Sequence, residues 1–118
     1  MSPDREPLVS VDIIGLRGDG ITVEAIVDTG FSDYLTLPKW IVTEMQLPYI
    51  ETLYGGLADG SSAPMDIHAA TVDWGGKRRN IPVHVSSCTP LLGIGLLYGH
   101  RLTLDVVDGG HIEIRPLT

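Results

Sequence analysis

The feature that most constrains this chain is a succession of short segments in which apolar and polar residues alternate, most of them separated by glycine-bearing turns. Val9, Val11 and Ile13 alternate with Ser10 and Asp12; beyond Arg17-Gly18-Asp19-Gly20, Ile21, Val23, Ala25 and Val27 alternate with Thr22 and Glu24. A period of two puts every second side chain on one face, which a chain can bury only as β-strands in a sheet. Gly and Asp between the segments supply the backbone conformations of tight reversals. The pattern returns in Met65 to Trp74, in Ile81, Val83 and Val85 after Gly75-Gly76, and in Leu102, Leu104 and Val106, which Asp108-Gly109-Gly110 turns onto Ile112 and Ile114. The expected fold is mainly β. It is interrupted by a helix over Pro38 to Gln46, where Trp40, Ile41, Met45 and Leu47 fall roughly at helical spacing, and by a helical turn over Ile94 to Gly99.

With 118 residues the chain can bury one core but not two, so residues 8–118 read as one domain behind a polar N-terminal arm, residues 1–7. Fifteen acidic residues against eight basic ones leave a net charge of −7, which repels phosphate backbones and anionic headgroups and argues against nucleic acid and membrane surfaces as partners. The basic cluster Lys77-Arg78-Arg79 adjoins Gly75-Gly76 and reads as a solvated hairpin turn before it reads as a binding patch. No apolar run approaches the ~20 residues that span a bilayer. A start without the basic stretch and apolar run of a signal peptide, together with a single cysteine, gives a cytoplasmic expectation.

Cys88 would need a histidine base beside it to act as a nucleophile, and reads more simply as a partly buried, inert thiol. His68, His84, His100 and His111 lack zinc-site spacing and each falls in or beside a strand, so structural roles are expected, with no metal and no cofactor. No Gly-x-Ser-x-Gly elbow is present. Trp40 and Trp74 read as core or rim aromatics.

Asp28-Thr29-Gly30 is the string that carries chemistry. A given triplet of this kind turns up in roughly one or two chains per hundred of this length, so its setting has to decide. Ala25-Ile26-Val27 delivers the carboxylate to the end of an apolar strand, a place where an acid is commonly functional. Gly30 lets the backbone turn there without a side chain in the way. Taken alone, the triplet is as readily a turn as a site. A second element tips the balance: Leu91-Leu92-Gly93 begins 63 positions after Asp28 and is followed by the helical turn and an alternating strand.

In this order the two motifs resemble the retropepsin-like aspartic proteases, the family of retroviral proteases and their cellular relatives, over nearly the whole span from Val9 to Ile114. The run Asp28-Thr29-Gly30-Phe31-Ser32 with Leu92-Gly93 looks most like a prokaryotic branch in which Phe follows the motif. The resemblance implies a closed, mostly antiparallel β-barrel-like retropepsin (acid protease) fold with one or two short helices, homodimeric through its terminal strands and catalytic loops. It implies catalytic roles for Asp28, Thr29 and Gly30, and support beneath the loop from Leu91, Leu92 and Gly93. Substrate would be met by Phe31 and by a flap over Tyr54, Gly55, Gly56, Leu57, Ala58, Asp59, Gly60 and Ser61. Many members pair an acidic residue two positions after the motif glycine with an Arg directly after the apolar-apolar-Gly element. Here Ser32 and Ile94 stand in those places, and their joint replacement argues for a different brace.

Peptide hydrolysis without a metal or covalent nucleophile needs one carboxylate to take a proton from water and a protonated partner to polarise the carbonyl. The chain carries one Asp-Thr-Gly; Asp59-Gly60 and Asp108-Gly109 lack the apolar entry strand and read as turns. A symmetric homodimer supplies the second Asp28, the two carboxylates sharing one proton. The expected function is an aspartic endopeptidase acting on a polypeptide in the cleft between subunits. The alternatives are a non-enzymatic dimer of the same fold that binds an extended peptide by strand addition, and an unrelated β-barrel that binds a small ligand.

Overall fold

Alternation along the first two segments is realised as a hairpin. Strands β1 (Leu8–Ile14) and β2 (Gly20–Val27) pair antiparallel from Leu8↔Ile26 to Ile14↔Gly20. Val11, Ile13, Val23, Ala25 and Val27 are buried, whereas Ser10, Asp12, Thr22 and Glu24 are exposed, so one face of the ribbon packs and the other is solvated. Gly18 turns the ribbon at φ +84°, a conformation that strains any residue with a Cβ.

The computed structural model describes residues 1–56 and 60–118. After β2 come β3 (Leu35–Leu37), α1 (Lys39–Glu44), β4 (Tyr49–Gly56), β5 (Ser62–Trp74), β6 (Lys77–Val85), β7 (Leu91–Leu92), α2 (Ile94–Leu97), β8 (His100–Leu104) and β9 (Ile112–Pro116). The larger sheet has the order β1-β2-β7-β3-β6-β5-β4, and β1 pairs a second time, with β5, through Asp12↔Asp73, Ile13↔Val72 and Ile14↔Thr71. That extra pairing closes six strands into a ring and leaves β4 outside it as an edge on β5. Closure gives both flanks of β1 a partner where an open sheet would have an exposed edge.

The mainly β architecture expected from the alternation is present with two short helices, and so is the closed, barrel-like form that the resemblance implied. Pairing is antiparallel except at β2–β7 and β3–β6, which are parallel. Parallel neighbours need a long crossover, and here residues 28–90 separate β2 from β7. β7 slots between β2 and β3, with Ile26↔Leu91, Val27↔Leu92 and Leu35↔Leu92 in register. Leu35, Leu37, Val83 and Leu92 are fully buried where these strands meet.

Several boundaries differ from the sequence expectation. Pro38 caps α1 in extended geometry instead of entering its first turn, because its fixed φ is compatible with either place. Ile41, Val42 and Met45 form the buried face of this helix, and Trp40 turns outward, 62% exposed. The helix stops where Gln46 takes φ +52° and the Leu47 N–H reaches back to the Val42 carbonyl. β5 begins at Ser62, three residues before Met65, and Lys77 to Arg79 open β6 instead of forming the turn. β8 and β9 make a separate two-stranded sheet whose Leu102 and Ile114 pack on the core. Among the described residues no helix is long and apolar enough to cross a membrane.

Candidate active site

Apolar strand β2 ends at Val27, and the next residue is Asp28. The main chain is tied at that point from two directions: the Val27 N–H donates to the Pro7 carbonyl at 2.8 Å, and the Asp28 N–H to the Leu92 carbonyl at 2.9 Å. The Phe31 N–H closes a turn onto the Asp28 carbonyl at 3.1 Å. Within it the Gly30 N–H donates to Asp28 Oδ1 at 2.9 Å, a local bond that fixes the carboxylate's orientation. Asp28 is half-buried, Thr29 and Gly30 are exposed. A Cβ at position 30 would stand 3.3 Å from Asp28 Oδ1, so glycine keeps a side chain out of the carboxylate's way at this turn.

The other motif lies against this loop. Helix α2 has no side-chain cap, and the N–H groups that a helix start leaves without partners are satisfied by the loop. Gly93 donates to the Tyr34 carbonyl at 2.9 Å, Ile94 to Phe31 at 2.8 Å and Gly95 to Asp33 at 2.9 Å. A Cβ on Gly93 would collide with the Asp33 carbonyl oxygen and stand 2.6 Å from that of Phe31; one on Gly95 would stand 2.7 Å from the Tyr34 ring. Two glycines in alternate positions therefore let the start of α2 close on residues 31–34. Much of the bracing that Ser32 and Ile94 cannot provide as an ion pair is done by main chain.

Side chains contribute too. His84, on β6 opposite Thr36, has a side chain only 14% exposed; its Nε2 stands 3.4 Å from Asp33 Oδ2, and its ring meets Phe31 edge-on at 5.7 Å. Thr36 is a buried polar residue whose Oγ1 accepts the Leu91 N–H at 2.8 Å. The Arg79 guanidinium lies over the Tyr34 ring at 5.9 Å. Sequence reasoning did not place Asp33, Tyr34, Thr36 or Gly95 at this loop, and gave His84 a structural role in or beside a strand without its loop partners. Of these only Gly95 left a trace, as a second glycine two positions after Gly93; the others are joined by strand pairings that no local pattern reveals.

Asp28 to Phe31 and Leu91 to Gly93 are thus brought together. Tyr54, Gly55, Gly56 and Gly60 stand apart from them in the strand order, on the β4–β5 hairpin, where Gly55↔Ala63 and Gly56↔Ser62 are paired. Leu57, Ala58 and Asp59 lie outside the described residues. The hairpin arms carry apolar surface outward: Leu53, Tyr54 and Met65 are all exposed.

Among solved structures, EIAV protease complexed with the inhibitor HBY-793 superposes with a TM-score of 0.56, at 17% sequence identity, over 82% of this chain and 89% of that one. The chain has the retropepsin fold. No family model matches it, and no curated protein does. Within the retropepsin fold, the remaining candidates occupy ordinary structural places. His68 Nδ1 lies 2.8 Å from the Leu47 carbonyl and His100 Nδ1 3.0 Å from that of Tyr98. Cys88 is exposed, not partly buried, because the segment between β6 and β7 runs over the surface; it sits in a groove of ≈ 410 Å³ with Thr22, Trp40 and Pro90, and no histidine lines that groove. Trp74 is half-buried and donates its Nε1–H to the Leu96 carbonyl at 3.0 Å.

Proposed function

We propose that the chain is the subunit of an aspartic endopeptidase in which two copies of Asp28 form one site. The observation that carries this reading is the Asp28 loop itself: in a retropepsin fold, the carboxylate of Asp28, which follows the end of an apolar strand, is oriented by the Gly30 N–H, and its loop is tied to β7 and the start of α2. Such fixing leaves the carboxylate prepared for chemistry without reorganisation. One carboxylate cannot be both acid and base in the same step, so a second Asp28 from another copy completes the pair.

In the step we propose, the ionised Asp28 takes a proton from the water held between the two carboxyls while that water's oxygen bonds to the scissile carbonyl carbon. The protonated partner gives its proton to the carbonyl oxygen. The diol then collapses: the Asp28 that took the water proton gives it to the nitrogen as the carbon–nitrogen bond breaks, the other Asp28 takes a proton from a diol hydroxyl, and the pair again holds one proton. Thr29, exposed beside Asp28, is assigned the contact across the two-fold axis, and the β4–β5 hairpin the closure over substrate. Phe31, directly after the motif glycine, is the residue that supports a likeness to the prokaryotic branch.

Strand addition has support of its own. β4 is the edge of the larger sheet, and an extended peptide can pair with such an edge without being cut. Peptide-library hydrolysis by wild type and by Asp28→Asn separates the two. The protease reading expects cleavage by wild type and none by Asp28→Asn, which keeps the side-chain volume and loses the ionisable group. Binding without cleavage in both would favour the peptide-binding reading.

A further inference from the structure

We propose that His84 is a positioning residue for the Asp28 loop, a role that rests on the reading of Asp28 as the catalytic acid. The ring reaches the loop at two points. Nε2 stands 3.4 Å from Asp33 Oδ2, and the ring edge meets Phe31 at 5.7 Å with an interplanar angle of 80°. Phe31 and Asp33 are also two of the residues whose carbonyls receive α2, from Ile94 and Gly95. His84 therefore holds by their side chains residues that α2 holds by their main chain.

The path from His84 to the carboxylate is short. The Phe31 N–H closes the turn on the Asp28 carbonyl, so a shift of Phe31 displaces the turn in which the Gly30 N–H orients Asp28 Oδ1. His84 has a stiff support from which to act: it is paired on both sides in the ring, with Thr36 of β3 and Ile67 of β5, and only 14% of its side chain is exposed. Asp33, by contrast, is 52% exposed, and a pair with one solvated partner adds little to folding stability. A contact that holds a loop in place while contributing little to stability is expected to show itself in turnover more than in melting. Ser32 and Ile94 cannot form an ion pair with each other, and the Asp33–His84 contact ties this loop to β6 by side chains instead.

The test uses the full chain and three variants, His84→Ala, His84→Gln and Asp33→Asn, with two readouts. Glutamine carries an amide nitrogen close to the place of imidazole Nε2 and keeps the link to Asp33 without a ring. In amide hydrogen exchange, His84→Ala should raise the exchange rates of Ile94 and Gly95 roughly tenfold or more, leave the β8–β9 amides unchanged, and keep the melting temperature near wild type. On a peptide that wild type cleaves, kcat should fall roughly tenfold or more with KM within about twofold, with partial recovery in His84→Gln and a loss in Asp33→Asn. Unchanged exchange at Ile94 and Gly95 overturns the proposal whatever the activity, as does a loss in kcat that only follows the fraction of unfolded protein. If wild type cleaves no peptide yet the exchange response appears, the positioning contact stands and the protease reading falls.

Discussion

The Asp28 N–H donates to the Leu92 carbonyl at 2.9 Å, joining the first residue of the loop to the last residue of β7 across 63 intervening sequence positions. This bond continues the parallel pairing Val27↔Leu92 by one step. The carboxylate's place is thereby set by a strand of two residues, itself held between β2 and β3. What secures β7 should therefore secure the site.

Thr36 supplies one such hold, and Thr36→Val removes it with little change of shape. The Leu91 N–H now bonded to Thr36 Oγ1 at 2.8 Å would lose its partner at a position that is largely shielded from water. Leaving a buried donor unsatisfied costs about 1–3 kcal/mol. Urea unfolding should show a lowered midpoint with an unchanged slope; an unaltered midpoint would mean that Leu91 finds another acceptor.

Gly95→Ala tests the seating of α2 on the loop. Its Cβ would stand 2.7 to 2.8 Å from atoms of the Tyr34 ring, and forcing such a contact costs about 1–3 kcal/mol. Gly55→Ala is the matched control, because a Cβ there meets nothing within 4 Å and surface changes of this kind stay within about 0.5 kcal/mol. Thermal unfolding of the two variants should differ accordingly, and equal melting temperatures would contradict the close packing of α2 on Tyr34.

How much of this was legible beforehand follows from which interactions are local. Val9 to Ile13 and Ile21 to Val27 announced their hairpin, because each burial choice is written in a two-residue period and the turn residues lie between them. Asp28 was legible for the same reason, as the residue that ends an apolar strand. The ring's parallel seams were not: two residues of β7 and three of β3 are too short to show a period, and their partners lie dozens of residues away. Trp40 was left between core and rim because spacing gives a helix's apolar stripe but not which residue turns out, and it is exposed while Val42 is buried. His84 and Asp33 meet only through the β3–β6 pairing, so nothing in the local sequence of either residue pointed to the other.

Tyr54→Ala addresses the hairpin expected to close over substrate. Tyr54 is 72% exposed, so its loss should leave stability within about 0.5 kcal/mol. If the ring packs on bound peptide, KM should rise roughly tenfold, equivalent to ~1.4 kcal/mol. Steady-state kinetics on a cleaved peptide provide the measurement. An unchanged KM would remove Tyr54 from the substrate contacts.

The central claim is that one active site takes Asp28 from two chains, and subunit mixing tests it most directly. Wild-type chains and an equal amount of Asp28→Asn chains are allowed to exchange, with exchange verified by mass-tagging one partner. Random pairing leaves about a quarter of the dimers with two aspartates. Activity per total protein is then expected to fall to about a quarter of the wild-type value. A value near one half, with exchange verified, would show that each chain works alone and would contradict the shared site.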